Sequence, residues 1–240
     1  MQPLVLNVAQ TALVSESCAD PALWSAWAQS EASEPPAGEA PSYSVIPAGV
    51  RRRLSPLGRC ALAAYAALDP SESEPTVWAS SWGDISRTFR LTTSLAETCA
   101  VSPADFALSV HNAVGAQAAI WRKNHACATA MAAGPVTASC ALVQARLALL
   151  HADSVVLVRY EEALPELWRG KGAPDAAPLA CAWAARLTRD KTDRTVTLTQ
   201  SAGTSDSQAC RILEEMRFWL GGRSAYAESD GRSRWRWEHA

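Results

Sequence analysis

The sequence predicts an α/β fold: a layered, mostly parallel sheet with helices, followed by a small C-terminal strand and helix addition. Three observations carry this expectation. Strand and helix patterns alternate in series between residues 75 and 162, the order that builds βαβ units. The run DSVVLVRYEE (153–162) is a nearly continuous β-branched strand of the kind buried on both faces. The segment before it, GPVTASCALVQARLALLH (134–151), is a strongly apolar helix that belongs inside a fold. With 48% hydrophobic and 19% charged residues in 240, the chain can bury a sizeable core.

The elements follow in order. PLVLNVAQTALVS (3–15) reads as an opening strand, and PALWSAWAQ (21–29) as a short helix with Trp24 and Trp27 one turn apart. SEASEPPAGEAPS (30–42) is a surface loop by its Pro, Ser and Glu content. Apolar residues recur at helical spacing from Val50 to Leu68, and Pro56 marks the true helix start. PTVWASS (75–81) is a strand, after which Asp84 caps a helix over ISRTFRLTTSLAE. VSPADFALSVHNAVGAQAAIWRK (101–123) opens with a Ser-Pro turn and becomes helical around Asn112. HACATAM (125–131) reads as a buried strand that breaks at an Ala-Ala-Gly corner before the apolar helix. ELWRGKGAPDAAP (166–178) is an exposed connection.

LACAWAARLTR (179–189) and RTVTLTQSA (194–202) alternate well enough to pair as two antiparallel strands. SDSQACRILEEMRFWLGG (205–222) is a helix with Ser or Asp at its start and Gly at its end. In the tail, Trp235 and Trp237 alternate with Arg234 and Arg236, the pattern of an edge strand with one buried face. These patterns divide the chain into residues 1–165 and a C-terminal extension, 166–240, packed on the same domain.

A net charge of −2 gives no general attraction to nucleic acid or anionic membranes, so neither is expected as a partner. No apolar run approaches the ~20 residues of a membrane span. The opening MQPLVLNVAQ lacks a basic n-region and a cleavable apolar core, which makes the expected location cytoplasmic. The seven cysteines are scattered with no CxxC pair, so no metal or other cofactor is expected. Most sit among Ala and Leu and read as buried reduced thiols. Ten tryptophans are a heavy load, part of which a partner would cover. There is no GxGxxG, P-loop, HExxH or GxSxG motif.

Four histidines are present. His111, in SVHNAVG beside Ser109 and Asn112, forms a polar cluster near the corner or else satisfies backbone groups of the loop and helix end. His151 follows a helix and faces its C-terminal dipole, and His239 is read as an exposed tail residue. Cys127, Thr129 and Met131 share one strand face. A mid-strand thiol with no base beside it has little reason to ionise, so Cys127 reads as structural. The triplet Arg51, Arg52 and Arg53 either contacts an acidic carrier or partner, or serves salt bridges at a helix start.

Three adjoining pieces together resemble the N-terminal half of β-ketoacyl synthases, in the thiolase-like superfamily. They are SPADFALSVHNAVGAQAAIW (102–121), HACATAM with its AAG corner (125–134), and the helix leading into DSVVLVRYEE. VRRRLSPLGR (50–59), VWASSWGDISRTFRL (77–91) and SVHN (109–112) look like the half-length ketosynthase-like proteins called chain-length factors. Those accompany full ketosynthases in bacterial aryl polyene and related pigment pathways. The resemblance spans about residues 45–165 and implies half of a thiolase-like fold.

In ketosynthases an Ala-[Thr/Ser]-Ala-Cys corner supplies the nucleophile. Ala128-Thr129-Ala130-Met131 resembles that corner with Met131 at the nucleophile position. The two ketosynthase histidines lie in the family's C-terminal half and have no counterpart in this sequence. The resemblance therefore implies a subunit with no catalytic residues that pairs with a full-length catalytic β-ketoacyl synthase. The helix 101–123 and the strand 125–131 match the elements that pair across the ketosynthase dimer axis. Ser109, His111, Asn112, Gln117, Thr129 and Met131 become candidates for the shared interface and acyl tunnel. Arg51, Arg52 and Arg53 become candidate contacts to acyl carrier protein, and the chain from Leu179 onward would patch the face left by the absent half. Two rivals stand beside this reading: a stand-alone thioesterase or acyltransferase using Ser109, Cys127 or Cys140, and a homodimeric scaffold.

Overall fold

The structure, a computed structural model, describes residues 2–168, 177–203 and 211–239. The chain opens with β1 (Leu4–Ser15), α1 (Pro21–Ala28), α2 (Ala48–Arg51) and α3 (Pro56–Ala67). Next come β2 (Thr76–Ala79), α4 (Ile85–Thr98), α5 (Pro103–Ser109), α6 (Ala113–Arg122), β3 (Ala128–Met131), α7 (Thr137–Ala148) and β4 (Ser154–Glu161). It closes with β5 (Cys181–Thr188), β6 (Thr195–Ala202), α8 (Arg211–Trp219), β7 (Ala225–Ser229) and β8 (Ser233–His239).

Local chemistry sets the helix starts. Ser55 accepts the Gly58 amide ahead of Pro56, and Asp84 accepts the Arg87 amide. The Ser-Pro signal at 102–103 does more than turn the chain. Ser102 caps the short α5, which the sequence reading left out. The cap expected at 205–206 and Cys210 lie outside the described residues, as do positions 169–176 of the expected connection.

The eight strands among the described residues form one sheet, in the order β3-β2-β4-β5-β1-β6-β8-β7. The expectation of a mostly parallel sheet is corrected: only β3–β2 and β2–β4 are parallel, and the other five pairings are antiparallel. The reason is connectivity. Crossover helices α4–α6 and α7 link β2, β3 and β4 and make them parallel, while the remaining strands are not joined in that way. β5 and β6 do not pair with each other, because β1 lies between them and is antiparallel to both. The sheet's outer edge is β7, so the Trp-Arg strand β8 has a neighbour on each side.

Alternation along the strands divides the core into two faces. On one, Trp78, Val156, Val158 and Tyr160 pack against Leu57, Ala61 and Leu62 of α3 and Val114 and Ala118 of α6. On the other, Val77, Val155, Leu157 and Trp183 pack against Ala138, Ala141 and Leu142 of α7 and Ile212, Met216 and Phe218 of α8. Trp237 is fully buried on this second face, with Tyr226 at 4.7 Å and Trp183 at 6.4 Å between ring centroids. A tryptophan hides roughly 150–250 Å², an upper bound on the order of 4–6 kcal/mol each. The last strands are therefore part of the core.

Three smaller expectations change. His239 is not an exposed tail residue: its ring stacks on Phe218 at 4.0 Å, and Nε2 lies 2.9 Å from the Phe218 carbonyl. β3 is half-exposed because it is a sheet edge with β2 on one side. Cys18, Cys60 and Cys181 are buried as expected, but Cys99 and Cys127 are exposed and Cys140 is half-buried.

Candidate functional site

At the end of the three parallel strands Ala79 aligns with Met131 and Arg159, and β4 runs two residues further, to Glu161. The corner is built there. Ser80 N donates to the Met131 carbonyl at 3.2 Å, and His111 Nε2 reaches the same oxygen at 2.9 Å. His111 can approach because Gly83 turns the chain at φ +65°, and a Cβ there would stand 3.0 Å from Nδ1. The Tyr160 hydroxyl donates to the His111 carbonyl at 3.5 Å. His111 and Met131 are thus brought together, with the histidine serving backbone groups of the corner. Past the corner, Ser81 Oγ donates to Gly134 O at 3.2 Å, and Thr137 Oγ1 accepts the Ala133 amide at 2.9 Å.

The other candidates are spread around this point. Ser109 ends α5 and donates its hydroxyl to Phe106 O at 2.9 Å. Asn112 is exposed at the start of α6 and makes no side-chain cap bond. Gln117 is half-buried and lines a water-sized cavity with Arg53, Ser55 and Arg87. Thr129 and Cys127 line an apolar groove of about 400 Å³ between β2, β3 and α7, with Leu147, Leu150 and His151. Arg51 is tied down by bonds to Tyr43 O (3.1 Å) and Ser42 O (3.4 Å), while Arg52 and Arg53 are exposed. Arg87 links this region internally, bonding Asp84 (3.1 Å), Asp105 (2.5 Å) and Arg53 O (3.0 Å).

A buried charged network beneath the corner was missed by sequence reading. Arg159 pairs with Glu161 on β4 and reaches Glu215 of α8 at 3.5 Å. Glu161 also accepts from Ser80 Oγ at 3.2 Å and from the Ser81 amide. Trp183 Nε1 donates to Glu215 at 2.7 Å. On β7, Glu228 accepts the Ser139 amide at 2.8 Å and the Tyr226 hydroxyl at 3.0 Å. All four charged side chains are almost wholly buried, so each depends on these partners for its solvation. Burial raises the Glu228 carboxyl, against the Ser139 hydrogen bonds and the Arg159 charge, which lower it.

As chemistry, the arrangement is sparse at position 131. A thioether has no proton to lose. Among the described residues no hydrogen bond joins Ser109, Cys127 or Cys140 to a histidine. Burial and the charges of Glu228 and Asp230 push the Cys140 thiol up, away from thiolate character. Among the described residues no group of three or more His, Cys, Asp or Glu could hold a metal ion, and no helix is long and apolar enough to cross a membrane.

With the corner, the parallel strands and the apolar helix behind it in place, this is a ketosynthase-type α/β architecture. The profile of the β-ketoacyl synthase N-terminal domain matches residues 24–238, and the chain belongs to that family. Its fold is similar to a ketosynthase (ApeO) in complex with its chain length factor (ApeC) from Xenorhabdus doucetiae. That match has a TM-score of 0.82 at 21% identity and covers 98% of this chain and 99% of that one. It is also similar to a type II PKS structure of an acyl-carrier protein in complex with its ketosynthase, with a TM-score of 0.70 at 9% identity and coverage of 98% and 99%. A β-ketoacyl synthase from Burkholderia phymatum STM815 gives 0.58 at 12% identity, covering 92% and 71%. Among curated proteins none matches.

Proposed function

We propose that this chain is a non-catalytic, chain-length-factor-type subunit that pairs with a full-length β-ketoacyl synthase. The observation that carries the reading is the open edge of β3, which ends at Met131. Exposed apolar side chains accompany that edge: Leu147 and Leu150 at the end of α7 share a groove with Cys127 and Thr129, and Ile120 lies on α6, which packs against β3. An open strand edge flanked by apolar side chains is a template for a second sheet. The partner would supply the reacting thiol. The decarboxylative condensation on carrier-bound acyl chains would belong to it, because Met131 cannot form a transferable thioester.

In this reading Ser109, His111, Asn112, Gln117, Thr129 and Met131 line the interface and shape the acyl tunnel. Arg52 and Arg53 contact the acyl carrier protein, with Arg51 bracing their loop. Residues 166–240 patch the face that the second half of a full ketosynthase would cover, on the ketosynthase-like part formed by 1–165. The assembly is cytoplasmic and extends chains of the aryl polyene type.

Co-expression with a full-length ketosynthase encoded beside it is the test. The expected result is one co-eluting complex that elongates carrier-bound acyl chains, with no elongation by this chain alone. A monodisperse chain that associates with no such ketosynthase sinks the proposal, and an acyl adduct on Ser109 or Cys127 would point to a stand-alone enzyme.

A further inference from the structure

α7 begins without a cap of its own. The residue ahead of it is Val136, whose side chain accepts no hydrogen bond. The Thr137 amide is taken by the Gly134 carbonyl of the 3-10 turn Gly134–Val136 that leads in, while the Ser139 amide, further into the first turn, needs an acceptor from elsewhere. Glu228 of β7, 89 residues further along, provides one by accepting the Ser139 amide at 2.8 Å. It is held in place from both sides. Tyr226 donates to its other oxygen at 3.0 Å, and Trp237 Nε1 donates to Ser139 Oγ at 2.8 Å. Glu228 and Ser139 are both buried, so water does not compete for these bonds. An acidic side chain from the penultimate strand therefore caps the helix that leaves the corner. Charged or protonated, its Oε1 accepts the same amide.

A cysteine becomes reactive when a helix N-terminus favours its thiolate through the dipole and the free amides. Position 131 leads into α7 across the corner, and the Met131 side chain packs against the apolar cluster that contains Val136 and Ala138. We propose that Glu228 occupies the amino end of α7 so that a thiol at position 131 is denied thiolate stabilisation. It is a positioning residue, acting through the helix. Loss of the nucleophile is then written twice, once at Met131 and once in the C-terminal strands. This rests on the non-catalytic reading above, but its test needs no partner.

The experiment places Met131→Cys in a Cys99→Ser, Cys127→Ser background, which removes the two exposed thiols. Iodoacetamide alkylation at residue 131 is followed against pH by mass spectrometry with fragment mapping. With Glu228 in place, half-maximal rate is expected at or above the ordinary thiol value of about 8.5. Adding Glu228→Ala should move that midpoint down by about one unit, a gain of roughly tenfold in rate at pH 7. Glu228→Gln, whose amide oxygen still accepts, should move it less, and it carries the test should the alanine variant fail to fold. A Met131→Cys thiol already mostly ionised at pH 7 would overturn the proposal. So would folded Glu228 variants that keep the parent's rate–pH curve. Association with a ketosynthase is measured separately, so failure of the subunit reading is told apart from failure of this one.

Discussion

Glu162 follows β4 as the chain leaves the sheet, and its Oε1 accepts the Ser86 amide at 2.9 Å. Burial pushes its carboxyl up to about 7; the charges of Asp84 and Glu161 add to the rise, and the Ser86 hydrogen bonds oppose it. The folded state therefore holds a proton on Glu162 that the unfolded chain releases near its ordinary 4.5. More protons bound when folded means that stability falls as pH rises from about 4.5 to 7. Glu162→Gln removes this dependence while keeping an acceptor for Ser86. Denaturant unfolding should show the variant gaining on the parent across that window, by on the order of 3 kcal/mol at pH 8 and near zero at pH 4. A constant difference between the two proteins from pH 4 to 8 would contradict the assignment. At this scale His111 was legible, since SVHN marks a polar cluster beside an apolar corner. Arg159 and Glu161 were not, although a signal existed: two charges spaced two apart in a buried strand must share one face and need partners there. Those partners, Ser80 and Glu215, come from elements far away in sequence.

Elements with local punctuation were readable. α3 starts where Ser55-Pro56 says it should, α4 where Asp84 does, and β2, β3 and β4 are parallel as strand-helix-strand order requires. Pairing without such connections was not readable. Nothing local tells β1 to enter between β5 and β6, because that choice is made by the core on one face of the sheet closing around Trp183, Leu187 and Leu198. The short β7 escaped notice since AYAES offers only one large apolar side chain to the core. The register of β3 yields a sharper statement. Thr76 N bonds Cys127 O and Ser80 N bonds Met131 O, so the odd-numbered residues of β3 face β2. The amide groups of Ala128 and Ala130 then point to the open edge. Ala130→Pro should leave the isolated chain within about 1 kcal/mol of the parent, because the lost donor bonds nothing within the sheet. Pull-down with the ketosynthase should fall at least tenfold. Retained binding would mean that the partner does not add to this edge.

At the scale of the whole molecule, the apolar surface is distributed unevenly. The Trp-rich face carrying α7 and α8 is closed by the chain's own last strands, with Trp237 fully buried. The β3 end is left open, and Ile120 of the adjoining α6 and Leu147 and Leu150 of the groove beside β3 are more than half exposed. Ten tryptophans suggest a partner, yet the fold itself covers most of them, and the large apolar side chains left exposed are mainly aliphatic, with Phe106 and Trp82 the aromatic exceptions. Composition alone does not separate these cases, since burial depends on which strands curl back. Cys127 reports on the open end without any mutation. It is exposed, immediately precedes β3 and lines the groove beside Leu147 and Leu150. Cys60, by contrast, is buried with its thiol pushed up to about 12, and Cys18 and Cys181 are buried as well. Brief alkylation of the native chain should therefore label Cys127 and spare those three. Addition of the ketosynthase should slow labelling of Cys127 at least tenfold, since a neighbouring sheet on β3 would shield the groove from the reagent. Unchanged Cys127 labelling in a complex shown to be intact would place the interface on another surface of the fold.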